Sequence, residues 1–299
     1  MFHAEAIINK KNLAHNMNYI RKHVGADVSI MPVVKANAYG HGVVEICKTL
    51  SKYNIHGFCV ALLSEVIHMR NNEINNEILH LGSLEHNFDP ILLDKKLILT
   101  INNNEDILFL DKIGKEHNHK FTVHIKIDTG MTRLGILKEE IEVIKNSLYK
   151  SHFLIVEGIY TQLSSADEDD ESCTNSQRDK FIEISDYFFS YFDTIKFRHL
   201  TPSAGLLKSK KNHFNMVRPG LSLYGINNVS ESHPLKPVMC LKAPVCLIKN
   251  IKKGSDIGYN RTFTNENDMN IAIIQVGYAD AIPLEFSNNG YVEYEGKKM

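Results

Sequence analysis

A lysine closes an apolar run in MPVVKANAYGHG, residues 31–42. Lys35 at such a position faces desolvation, which disfavours its charged form. Complete burial can depress a lysine pKa by up to about 3–5 units. The neutral amine attacks a carbonyl carbon to form a Schiff base. The competing reading is a strand-end lysine whose ammonium reaches back to water along its alkyl stem. Other patterns carry less chemistry. Gly40-x-Gly42 lacks the third glycine of a dinucleotide fingerprint, and neither an H-E-x-x-H pair nor a GKS/T phosphate loop occurs. His117, His119 and His124 straddle a helix end and a strand, and read as solvated histidines rather than a metal set.

The elements that must position Lys35 can be read from periodicity. Apolar strand-like runs fall at 29–36, 57–61, 77–82, 97–101, 121–128, 154–163, 196–201 and 214–219. Between them, stretches such as 42–52, 63–71, 104–118, 137–150 and 176–192 repeat their apolar residues at helical spacing. In 104–118 this places Ile107, Leu108, Leu110 and Ile113 on one side. Many strand runs are apolar on both faces, as parallel strands covered by helices are. Eight such units predict an α/β fold, a (β/α)8 TIM-type barrel rather than an open doubly wound sheet, with active-site residues at the C-terminal strand ends. Strand order is invisible at this level, so the open sheet stays in play.

After Tyr224-Gly225 the texture changes. Residues 226–237 (INNVSESHPLKP) read as a linker. Short β-like runs at 238–251, 269–278 and 290–295 follow, with Lys-Gly and Asn-Gly turn signals between them. The expected organisation is a barrel over 11–228, a partial β-rich domain over 236–299, and an N-terminal strand within 1–10 associated with that domain.

Composition bounds the partners. The 299 residues are 43% hydrophobic and 23% charged, in the ordinary globular range. Thirty-four basic against thirty-five acidic residues give a net charge of −1, which offers no footprint for nucleic acid or an anionic membrane. No apolar run approaches the roughly 18 residues of a membrane span. The N-terminus lacks the features of a secretory signal. Five cysteines, odd in number and without a C-x-x-C pair, fit a reduced cytoplasmic chain.

The string VVKANAYGHG resembles the signature of the alanine racemase family, barrel-type pyridoxal-phosphate enzymes. KIDTGMTRLG (126–135), GIYTQLSSADEDD (158–170), HLTPSAG (199–205), RPGLSLYG (218–225) and IGYNRTFT with QVGYADA (257–281) resemble further blocks of the same family, in the same order. The resemblance implies pyridoxal 5'-phosphate as cofactor and no metal. It implies alanine as substrate and D-alanine for peptidoglycan as product. It also implies a homodimer whose active site is completed by the partner's second domain. Lys35 would hold the cofactor and serve as one of two proton-transfer bases. Tyr259 would be the other, reaching in from the partner. Tyr39, Ser203 and the amides of Gly220 and Leu221 would hold the phosphate. Arg218 would face the pyridine nitrogen, and together with a histidine, for which His199 is a candidate, would supply part of the field that lowers the Tyr259 pKa. Arg133 would contact substrate, and Lys126 is the position that can carry a carbamate. Taken alone, Lys126 reads equally as a partner of Asp128, Arg133 as a surface ion-pair residue, and Tyr259 as a β-domain aromatic.

The sequence departs from the family pattern at named places. Gln162 stands where a histidine is usual, Pro202 replaces an asparagine before Ser203, and Ala281 replaces a glycine after GYAD. Family members also continue several tens of residues further, so a fragment is the expectation here. The alternatives are a racemase of broader specificity, or a cofactor-binding protein with impaired turnover. A decarboxylase of the same barrel class fits less well, since no Gly-Gly-Gly run occurs.

Overall fold

A computed structural model describes residues 3–299. Six parallel strands run in sequence order: Gly57–Val60, Glu77–His80, Leu97–Ile101, Phe121–Lys126, Leu154–Tyr160 and Phe197–His199. The strand Ser29–Ile30 pairs in parallel with Met216–Val217. Val33 bridges to Cys59 on one side, and the Arg218 amide donates to the Thr201 carbonyl at 3.2 Å on the other. These links close the sheet into the expected eight-stranded barrel, so the open doubly wound alternative falls away. The burial of Gly57–Val60 and Leu97–Ile101 at every position explains why these runs read apolar on both faces. Met31, Val33, Cys59, Leu79, Ile98 and Met216 meet in the core.

Helices cover the barrel; those between the strands fall where the 3.6-residue spacing placed them, and the first, over 10–24, was not anticipated. Lys10–Val24 starts at Asn9, whose side chain accepts from the Lys11 and Asn12 amides, and buries Leu13, Met17 and Ile20. Asn104–His117 starts at Asn103 and ends at left-handed Asn118. It buries Ile107, Leu110 and Ile113, but Leu108 is 59% exposed. The expected grouping of Leu108 with the core face was wrong. At about 100° per residue it lies too far around from Leu110 and Ile113. Residues 226–238 pack on the first helix. Asn16 exchanges hydrogen bonds of 2.8 Å with Lys236 in both directions, and Tyr19 Oη pairs with His233 Nδ1 at 2.7 Å.

Asn9–Val238 forms one compact unit; the described residues through Ile8 together with Met239–Met299 form a second. In the second, Glu5–Ile8 pairs antiparallel with Met239–Lys242, and Val245–Ile251 pairs antiparallel with Met269–Ile274. Its strands are exposed along most of their length. Ala281 adopts φ +62°, so the residue standing in place of a glycine sits in the left-handed region that glycine favours.

Candidate active site

The chain leaves the first strand after Val33 and enters a turn of the wrong hand. Ala36, Asn37, Ala38 and Tyr39 all have φ between 51° and 55°, and Gly40 follows at φ 82°. A left-handed L-residue costs about 1–2 kcal/mol, and such residues normally occur singly. The turn is held by backbone bonds from Ala38 to Val34 (2.8 Å) and Gly40 to Ala36 (3.0 Å), and by the Asn37 side chain accepting from the Val43 amide at 2.8 Å. Because strand pairing ends before Lys35, the lysine is half-buried rather than sealed in a dry niche. This corrects the expectation of complete desolvation.

Lys35 lines a cavity of about 440 Å³ at the C-terminal ends of the strands. Tyr39, Lys126, Arg133, Gln162, Ser203, Arg218, Gly220 and Leu221 line the same cavity. Ser203, at the start of the short helix Ser203–Lys208, accepts from the Gly220 and Ser222 amides at 2.9 and 3.1 Å. Pro202 needs no amide here, since it precedes the helix and its carbonyl accepts from Leu206 at 3.0 Å. A Cβ on Gly220 would lie 2.9 Å from the Tyr39 hydroxyl, so the glycine gives that phenol its place.

Arg218 is buried and held by three acceptors. It donates to the Thr161 carbonyl at 2.8 Å, to Gln162 Oε1 at 3.2 Å, and to His199 Nδ1, while lying 4.9 Å over the Tyr160 ring. Gln162 therefore serves as a non-titrating acceptor for the guanidinium. His199 lines no part of the cavity; it backs Arg218 from behind and stacks on Tyr160 at 4.8 Å. Burial, then the Arg218 charge, hold the His199 imidazole well below its usual pKa.

Lys126 is 5% exposed and has its pKa lowered to about 8, first by burial and then by repulsion from Arg218 and Arg133, with Asp128 opposing. The ion-pair reading is accordingly the weaker one for this lysine: the Asp128 carboxylate accepts from the Gly130, Met131 and Thr132 amides instead. Arg133 is exposed on the rim. Tyr259 belongs to the second unit and is 83% exposed.

Three site residues escaped the sequence reading. His124 is not a solvated histidine; it is wholly buried, with Nδ1 2.9 Å from His199 Nε2. Its position on the inward face of a strand was the available signal. Tyr160, packed between His199 and the cations, ends the strand Leu154–Tyr160 inside the apolar run 154–163, where nothing local sets it apart. Glu65 reaches back to the Ala36 amide from a helix 29 residues later, a contact with no local signature.

This arrangement can hold an anion at Ser203 and Gly220, keep a cation in the same cavity at Arg218, and present an amine from Lys35. Comparisons with known proteins agree. The family described as "Alanine racemase, N-terminal domain" matches residues 8–228, and "Alanine racemase, C-terminal domain" matches 238–299. An alanine racemase of Halothermothrix orenii is 35% identical over 98% of this chain and 78% of its own length. The structure of an alanine racemase from Clostridium difficile 630 superposes with a TM-score of 0.85 at 32% identity, covering 95% of this chain and 75% of that one. That of an alanine racemase from Bartonella henselae, described with covalently bound pyridoxal phosphate, does so at 0.87 and 28%, covering 99% and 81%. Matched in order through both of its domains, the chain belongs to the alanine racemase family, a family of isomerases.

Proposed function

We propose that this chain interconverts L-alanine and D-alanine with pyridoxal 5'-phosphate held at the barrel mouth, supplying D-alanine for peptidoglycan in the cytoplasm. The observation that carries the reading is the convergence of Lys35, Tyr39, Ser203, Arg218 and Gly220 on one cavity. The donor set fits the cofactor: a hydroxyl–amide cluster suits a phosphate, the Gly220 gap admits the Tyr39 phenol beside it, and a buried guanidinium suits a ring nitrogen.

When bound, the cofactor withdraws electrons from the substrate Cα and so makes its proton removable. Lys35 would hold the cofactor through Nζ until the substrate amine takes its place, and the amine so freed would move the Cα proton on one face. Tyr259 from a second copy of the chain moves it on the opposite face, since inversion needs acid/base groups on both sides. Arg218, which stays charged, would face the ring nitrogen as a donor that does not give up its proton. Tyr39, Ser203, Gly220 and Leu221 hold the phosphate, and Arg133 at the rim binds substrate. Lys126, whose lowered pKa leaves a usable neutral fraction, would add to carbon dioxide when it is present, losing a proton to give a carbamate whose negative charge offsets the surrounding positive charge. The barrel (11–228) supplies the cofactor site and the domain 236–299 supplies Tyr259, which makes a homodimer the working form.

Adding the cofactor to the purified chain should give an absorbance band at about 420 nm, absent in Lys35→Ala. Alanine, serine, lysine and ornithine, followed by optical rotation, establish the substrate range. Tyr259→Phe should slow abstraction from the L-isomer selectively. Cofactor trapped by borohydride at an unchanged peptide in Lys35→Ala would sink the assignment.

A further inference from the structure

We propose that Glu65 is a positioning residue for Lys35, its carboxylate tying the start of the left-handed turn to the exit of the neighbouring strand. One carboxylate oxygen accepts from the Ala36 amide. The other accepts from the Ala61 and Leu62 amides at 2.8 and 3.0 Å. Ala36 is the residue after Lys35 and the first of the four with positive φ. Ala61 and Leu62 directly follow the strand Gly57–Val60, which pairs with the Lys35 segment through Val33–Cys59 and a 2.9 Å bond from the Val34 amide to the Cys59 carbonyl. A single side chain therefore ties the strand exit that carries the lysine to the exit of the strand beside it.

The residue type follows from the partners. All three are N–H donors, so only a group that accepts at both ends satisfies them; an amide would turn its own N–H₂ toward one of them. Glu65 also sits at the third position of the helix Leu63–Asn71, where a glutamate commonly bonds back to the residue before the helix. That capping habit accounts for the Leu62 bond but not for the one to Ala36. The amides that open a helical turn have no acceptor within it, and a strained turn persists only where its surroundings over-determine it. Anchored at Ala36 by Glu65 and at Asn37 by the Val43 amide, the turn fixes the Lys35 backbone, and with it the direction from which Nζ enters the cavity.

The consequence for chemistry rests on the proposed role of Lys35, and two readouts keep the questions apart. Amide hydrogen exchange on the full chain without cofactor reads the tether. The initial rate at which borohydride traps added pyridoxal phosphate on the Lys35 peptide reads its effect. In Glu65→Gln, the Ala36 amide should exchange about tenfold faster while the strand Gly57–Val60 keeps its protection, and trapping should slow by about the same factor. Adding Ala36→Gly, which accepts positive φ freely, should return most of the trapping rate. Unchanged exchange at Ala36, loosening confined to the helix Leu63–Asn71, or no recovery in the double variant would overturn the inference. Failure of the unaltered chain to trap at Lys35 removes the proposed function alone, and exchange at Ala36 then decides the tether. If Glu65→Gln does not fold, the unaltered chain decides: Ala36 must be protected like the strand amides, and exchange at the rate of free peptide overturns the proposal.

Discussion

The imidazole of His124 occupies the space that a side chain at Gly158 would need: a Cβ there would lie 2.6 Å from the ring Cε1 and Nε2. Strand pairing slips between Val123 and His124 at the same place. The bulge and the missing side chain together leave room for the ring. Arg218 can only donate, so His199 Nδ1 must accept from it; His199 Nε2 then donates to His124 Nδ1 at 2.9 Å. Both imidazoles are thereby fixed as neutral Nε2–H tautomers behind the guanidinium.

Gly158→Ala should cost about 1–3 kcal/mol in denaturant unfolding, the usual range for overpacking. A stability equal to that of the unaltered chain would show that His124 has room to yield.

The two imidazoles also set an acid limit. Burial lowers both pKa values, with Arg218 repulsion adding to the effect at His199. The unfolded chain then binds more protons than the folded one as pH drops below the unperturbed value of about 6.5, so stability is present above that pH and is lost beneath it. His199→Asn should make the loss between pH 6.5 and 5 (roughly the window of an ordinary histidine) shallower. A slope identical to that of the unaltered chain would locate the acid sensitivity elsewhere.

Lys126 works in the alkaline range. Its pKa of about 8 lies below the ordinary 10.5, so the unfolded chain holds the proton more tightly and folding is penalised below pH 8, with relief as pH rises toward 10.5. Lys126→Met should stabilise the chain at pH 7 by up to about 3 kcal/mol, with the gain shrinking through that window. A gain independent of pH would indicate better packing rather than a relieved charge.

At the proposed phosphate site, Gly220→Ala would put a Cβ 2.9 Å from the Tyr39 hydroxyl and force the phenol aside. Cofactor affinity, titrated by absorbance, should fall by about tenfold or more for one displaced hydrogen-bond donor, while the unfolding midpoint changes little. Equal affinity would remove Tyr39 from the phosphate site.

Much of the barrel is legible in the sequence. The eight apolar runs became the eight barrel strands because buried parallel strands are apolar on both faces, a local signal. Lys35, Ser203 and Arg218 sit at or just beyond strand ends, which a barrel brings to one mouth. What stayed hidden depends on contacts across the barrel. His124 looked solvated because nothing in 117–124 announces the facing Gly158. Leu108 looked buried because helical periodicity blurs at the flank of an apolar stripe. The reversed hand at 36–39 escaped because alanine and tyrosine ordinarily favour the opposite region.

That reversed hand bears on how this segment tolerates change. A helical sense cannot be altered by degrees; the chain passes from one basin to the other or stays put. Substitutions at Ala36 and Ala38 therefore meet an all-or-none filter, in which branching at Cβ matters more than polarity or size. Valine, isoleucine and threonine should be shut out of these two alanine positions even where the neighbouring volume would admit them.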